Sequence, residues 1–197
     1  VKNAAEYYAE VERDLYIETA SGKNFYIARP EFDIDDIAEA LSKQCRFTGH
    51  TSSFYSVAEH CVLVMDLMAE LNQGDPFEGL MHDASEAYLS DIAAPWKVLL
   101  PDYKKLELSI EKPLRATYGL PETITPECKF ADWLALFIEA DRLIPSRARD
   151  WVAPSGVKET ADMLLAKKRG RIMALNPDNA RNMFLTAFWS HSPNADA

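Results

Sequence analysis

Asp75-Pro76, Thr125-Pro126 and Asn176-Pro177 each set a side chain able to cap a helix directly before a proline that opens a long run with helical spacing. Proline suits the first helical position, where an N–H has no partner to lose, and Asp, Thr and Asn accept from the free amides of the first turn. The chain is committed to helix starts at those points, and apolar residues at helical spacing occupy the intervals. Ile34, Ile37, Ala38 and Leu41 predict a helix through IDDIAEALSKQC that ends near Cys45. After the Gly- and Ser-rich loop RFTGHTSSFY, Ser56 and Glu59 stand at capping-box spacing. Val57, Cys61, Val64, Met68 and Leu71 then make one apolar face as far as Gly74, with His60 on its edge. From Pro76 the pattern continues through Phe77, Leu80, Met81, Ala84 and Tyr88, and further helices are predicted at 102–118, 126–144, 157–175 and 178–189. The exception is LYIETASGKNFYIA, 15–28, where two β-favouring runs flank Gly22 and predict a small hairpin. The expected fold class is all-α with a minor N-terminal β-hairpin. One domain is expected over 1–197, with a helical core at about 34–144 and C-terminal helices at about 157–189.

A net charge of -10 argues against nucleic acid or an anionic membrane as partner, because both need a dense cationic surface. It leaves room for a small anionic substrate held by a few cations beside a metal. Cys45, Cys61 and Cys128 are odd in number and form no C-x-x-C pair, which fits a reducing compartment. No apolar run approaches the ~20 residues of a membrane span, and the N-terminus lacks the basic-then-apolar plan of a signal peptide. A cytoplasmic protein is expected.

The chemistry concentrates in LMHDASEAYLSDIAAPWK, 80–97. On a helix Glu86 lies beside both Asp83 and His82, so three ionisable groups share one patch of a helix that begins as a core element. A solvated polar stripe is the plain alternative for any one of them. Asp132 is the only polar residue in FADWLALFI, 130–138, and a carboxylate buried there needs a cation, a metal, or a partner such as Lys129 or Arg142. His60, ordinary by itself, completes a set of two imidazoles and two carboxylates from neighbouring helices: His60, His82, Asp83 and Asp132. Mixed N/O ligation suits a divalent ion such as Mn²⁺, Co²⁺, Fe²⁺, Zn²⁺ or Mg²⁺, which polarises a phosphoryl oxygen and acidifies water.

The order His60…His82-Asp83…Asp132 resembles the metal signature of the HD-domain phosphohydrolases. The surrounding text, CRFTGHTSSFYSVAEH, HDASEAYLSDIAAPWK and KFADWL, is similar to the subgroup of bacterial 5′-deoxynucleotidases and phage dATP triphosphohydrolases, over about residues 34–144. The resemblance implies a mostly helical bundle with those four residues as metal ligands. It implies that Glu86 positions or activates the attacking water and that Asp91 is a second essential carboxylate near the leaving oxygen. Arg46 and Lys97 match phosphate-contacting cations, and Pro95 matches a proline near the nucleobase. Where the deoxynucleotidases carry an Arg-Trp pair, this chain has Arg46-Phe47, so Phe47 can stack on a base or pack against the sugar.

The expected function is hydrolysis of 2′-deoxynucleotides by a divalent-metal enzyme, leaning to a triphosphohydrolase that releases deoxynucleoside and triphosphate from dATP. Dephosphorylation of deoxynucleoside monophosphates, hydrolysis of a signalling nucleotide, and a non-catalytic metal-bound nucleotide sensor are the alternatives. Self-association is expected, with the helices after Asp132 completing the core or building a subunit face. Four further features are assigned blander roles: His50 orders its loop, AKKRGR at 166–171 is a solvated face, Trp96 and Trp133 are core residues, and His191 belongs to a disordered tail.

Overall fold

The computed structural model describes residues 15–167 and 172–193. The hairpin forms as predicted: β1 (Tyr16–Glu18) pairs antiparallel with β2 (Asn24–Tyr26), Ile17 opposite Phe25, and Gly22 takes φ 77 in the turn. Phe25 points inward and stacks on Tyr88 at 3.8 Å. Every other named element among the described residues is helical: α1 (Ile34–Lys43), a 3-10 turn (Arg46–Gly49), α2 (Val57–Leu71), α3 (Pro76–Met81), α4 (Glu86–Leu89), α5 (Ala94–Lys97), α6 (Pro101–Thr117), α7 (Pro126–Leu143), α8 (Val157–Ala166) and α9 (Pro177–His191). The capping side chains act as their positions require. Asp75 accepts from the Phe77 amide at 2.9 Å, Thr125 from Cys128 at 3.2 Å and Asn176 from Asn179 at 2.9 Å.

α2 is the axis of the molecule, packed by α1, α3, α7 and α9. Ile37, Leu41, Cys61, Leu80 and Phe184 fill one side of it, and Leu63, Val64, Leu67, Leu134, Ile138 and Leu164 fill the other. Covered on both sides, α2 buries every residue from Val57 to Met65, so His60 is fully buried rather than placed at the margin of an apolar face. Gly79 permits the approach of α3: a Cβ there would stand 2.8 Å from Met68 Sδ and 3.1 Å from the Met65 backbone. Buried carboxylates fasten the loops. Glu59 accepts from the amides of Met173, Ala174 and Leu175 at 2.7–3.0 Å, binding the segment before α9 to α2.

Several expectations change. The helix from Pro76 stops at Met81, and residues 82–85 form a tight turn before α4. The winding is tightened by i→i−3 bonds such as Glu86 N–H to Asp83 O at 2.9 Å and Tyr88 N–H to Ser85 O at 3.1 Å. The helix predicted at 157–175 ends at Ala166, and 172–175 is not helical because its amides are held by Glu59. Trp96 is 60% exposed, not a core residue, because the short α5 packs chiefly against α6. Trp133 is half-buried on a cavity wall. His191 closes α9, its Nδ1 2.9 Å from the Ala187 carbonyl, rather than lying in a disordered tail. In the AKKRGR run 168–171 fall outside the described residues. No described helix is long and apolar enough to cross a membrane.

Candidate metal centre

His60 comes from near the start of α2, His82 and Asp83 from the turn after α3, and Asp132 from the second turn of α7. Because α2 packs on both α3 and α7, these groups meet. The two imidazole Nε2 atoms stand 3.2 Å apart. Asp83 Oδ2 is 3.4 Å from His60 Nε2 and 3.2 Å from His82 Nε2, and Asp132 Oδ1 is 3.3 Å and 3.9 Å from the same atoms. Asp132 is not sealed among apolar neighbours as its sequence window suggested. Its side chain is 44% exposed, because this face of α7 borders a cavity.

Second partners decide which ring nitrogens face inward. His60 Nδ1 is 2.6 Å from Glu139 Oε1, and His82 Nδ1 is 2.7 Å from the Gly79 carbonyl, so each ring is held by its Nδ1 and turns Nε2 to the centre. Donors bound to one divalent ion at about 2.1 Å lie roughly 3.0–3.4 Å apart at octahedral to tetrahedral angles, and the closer contacts here fall in that range. His60, His82 and Asp132 offer ligand atoms all within 4.8 Å of one another and could hold a divalent cation, with Asp83 Oδ2 close to both imidazoles.

The field has the matching sign. Burial and Arg46 oppose protonation of His60, yet Glu139, Asp132 and Asp83 outweigh them and raise its pKa well above the ordinary imidazole value. His82 is raised too, against burial, chiefly by Asp83. Asp83 is held well below the usual carboxylate range despite its burial, first by His82. Carboxylates that draw protons onto these rings would draw a dication in their place, with release of those protons.

Around this centre lie the other predicted residues. Glu86 is buried, with Oε1 3.1 Å from Lys97 Nζ and Oε2 without a hydrogen-bond partner among the described residues. Burial, then the charges of Asp83 and Asp91, push its pKa well above the ordinary value. Asp91 is raised as well, by burial first, although Arg46 opposes the shift. Gln44 joins the two segments, donating to the Glu86 carbonyl at 2.9 Å and accepting from the Asp91 amide at 3.2 Å. Lys97 bridges Glu86 and Glu107, the latter at 2.8 Å. Arg46 donates to Glu139 at 3.2 Å and stands 3.8 Å from Asp91 and 4.0 Å from Asp83. Arg46, Asp83, Glu86, Asp91 and Lys97 line one cavity of about 1470 Å³, with Phe47 and Pro95 on its walls and His50 exposed at its border.

Glu139 escaped the sequence reading. It is fully buried and accepts from Tyr55 Oη at 3.1 Å as well as from Arg46, while its close contact with His60 orients that ring. The available signal was its place seven residues, or about two turns, after Asp132 on the same helix face. Glu139→Gln should weaken divalent-ion affinity about 10- to 100-fold, since the ring loses the charge that orients it. Competition with a metal-sensitive dye reads this directly, and an unchanged affinity would refute the role.

The chain is 42% identical over 176 residues to the uncharacterized protein YfdR of Escherichia coli K12, covering 88% of this chain and 93% of that protein. It is 31% identical over 137 residues to an uncharacterized protein of Rhodobacter capsulatus, covering 62% of this chain and 70% of that protein. No protein-family model matches the chain. With identity of this order along nearly the full length of the first relative, the chain belongs to the family of Escherichia coli YfdR.

Proposed function

We propose that this protein is an HD-domain phosphohydrolase acting on 2′-deoxynucleotides, with a divalent ion held by His60, His82, Asp83 and Asp132. The observation that carries the reading is the buried Glu86 Oε2, without a hydrogen-bond partner among the described residues, in the same cavity as Asp83, Asp132, Arg46 and Lys97. Bound there, the ion supplies Lewis acidity to a phosphoryl oxygen and to the attacking water.

The chain's own residues supply the rest. Arg46 and Lys97 each rest on carboxylates and can exchange one of those contacts for phosphate oxygens, orienting the ester. Glu86, made more basic by its buried and acidic surroundings, takes a proton as the water oxygen bonds to phosphorus. Asp91, beside Arg46 in the same cavity, assists departure of the 5′ oxygen, which receives a proton as the P–O bond breaks. One proton is taken and one returned, and the nucleoside leaves as a neutral alcohol.

Within this reading dATP, cleaved to deoxyadenosine and triphosphate, is favoured over monophosphates on the likeness of FTGHT, FYSVAEH and Pro95 to the phage enzymes. The cavity of about 1470 Å³ has room for a whole nucleoside triphosphate. Metal-loaded protein incubated with deoxynucleoside mono-, di- and triphosphates, ribonucleotides and signalling nucleotides should release inorganic triphosphate from dATP. Release of monophosphate from dAMP alone would shift the assignment to a nucleotidase. Inertness toward every deoxynucleotide with every divalent ion would refute it.

A further inference from the structure

The cavity continues away from the metal cluster along α7 to a wall of aromatic rings that neither the metal ligands nor the proton-transfer groups use. Trp133, Trp151 and Phe47 all line it. Phe137, which is buried, backs the wall: its ring centroid lies 6.4 Å from both Trp133 and Trp151, and Trp151 lies 6.3 Å from Phe47.

Two stretches of costly backbone bring these rings together. Phe47 and Thr48 both take φ 54, and Arg147 and Ala148, just before Trp151, take φ 53 and φ 51, all left-handed values that residues other than glycine rarely adopt. Strain of this kind persists where the surroundings over-determine it, and it gathers at ligand sites. Here buried Ala148 anchors one segment, and the Ser52 amide bonds to the Leu143 carbonyl at 3.0 Å, tying the Phe47 loop to the end of α7. Arg46 and Phe47 thereby mark where the ionic and aromatic parts of the cavity meet, the guanidinium carbon lying 5.5 Å from the Phe47 ring centroid. The guanidinium faces the carboxylates of the metal cluster, and the adjacent ring joins the aromatic wall.

We propose that Trp151, with Phe47 beside it, is the stacking platform for the nucleobase, so that the 144–152 segment sets base preference. This rests on the reading of the protein as a nucleotide phosphohydrolase. The cavity combines an ionic end suited to a phosphate with an aromatic end, and the ligand matching both is an anionic group joined through a small linker to a flat heteroaromatic ring. The Phe47 and Trp151 rings are tilted by 39° at 6.3 Å, closer than the roughly 7 Å needed to admit a ring between two parallel faces. The base therefore lies against this wall and is not clamped within it. Aromatic stacking tolerates any base, and the polar groups around it do the discriminating.

The test uses the full chain and two independent measurements. Calorimetric titration with 2′-deoxyadenosine, which has no phosphate to hydrolyse, should show binding that weakens roughly ten- to hundredfold in Trp151→Leu and in Phe47→Leu, and much less in Trp151→Phe. The second measurement is the ratio of kcat/KM for the best deoxynucleotide to that for 2-deoxyribose 5-phosphate, which should fall by a similar factor in Trp151→Leu. If Trp151→Leu fails to fold, Phe47→Leu and Trp151→Phe decide the matter, because both keep an aromatic ring or its packing neighbour. Nucleoside binding equal to wild type in the leucine variants overturns the platform, as does a wild-type protein that does not bind the nucleoside. Trp151-dependent nucleoside binding without hydrolysis of any deoxynucleotide supports the platform and refutes the enzymatic reading. Hydrolysis with an unchanged base-to-sugar preference in Trp151→Leu refutes the platform alone.

Discussion

Under the proposed mechanism, turnover by the Glu86→Gln variant should fall about 10²- to 10⁴-fold, the usual contribution of a positioned general base, while divalent-ion uptake should match that of the wild type. The amide matches the carboxylate in shape, so the packing of α4 against α1 is kept. What is lost is the capacity of Oε2 to accept a proton, the atom that has no hydrogen-bond partner among the described residues. Lys97 keeps its contact with Glu107 at 2.8 Å, so the cation is not released by the substitution. Because Glu86 is not among the proposed ligands, ion affinity and hydrolysis separate: activity collapses, and metal content measured by emission spectroscopy does not. A variant as active as wild type would remove the proton acceptor from the mechanism, and a non-catalytic sensor of nucleotides would show that indifference.

The second large effect is on stability. Glu78 and Arg115 have side chains only 1% exposed and meet at 2.6 Å, linking α3 to α6. Glu78 also accepts from the Thr125 amide at 3.0 Å and from its hydroxyl at 2.6 Å, so the same carboxylate fastens the start of α7. Arg115 spends its Nε on the Pro121 carbonyl, and its other ionic neighbour, Glu111, is 4.0 Å away. Glu78→Gln preserves the shape but strands the guanidinium in a dry site, and breaking a buried pair from one side costs about 3–5 kcal/mol. Urea unfolding should show that loss in the midpoint without a change in slope. The double variant Glu78→Gln/Arg115→Met should recover most of it, because an apolar chain in place of the stranded cation removes the penalty. A single variant within about 1 kcal/mol of wild type would show that water reaches the pair. Since α3 leads directly into His82, the single variant should also loosen the ion site.

How much of this was legible in the chain follows from how far each interaction reaches. The caps at Asp75, Thr125 and Asn176 act on amides two or three residues away, and the hairpin closes around Gly22. Periodicity and turn chemistry report such features because cause and effect are neighbours in sequence. His60, His82, Asp83 and Asp132 were legible as a set through a motif resemblance and residue chemistry, although their separation in space was not. Glu139 was hidden because one acid in an apolar helical run looks like an interruption until His60, 79 residues away, and Arg46, 93 residues away, are seen to contact it. Trp151 was hidden because it lies in a segment without period.

The sequence by itself determined where the longer helices start, the hairpin, and which residue types were available for a metal and a phosphate. Only the tertiary structure decided that the helix after Pro76 breaks at Met81, that the two imidazoles turn their Nε2 atoms toward each other, and that Asp132 opens on a cavity. The physical reason is that a backbone hydrogen bond in a helix is closed by residues a few positions apart, whereas ring orientation and cavity shape are set by partners that only packing around α2 brings within reach.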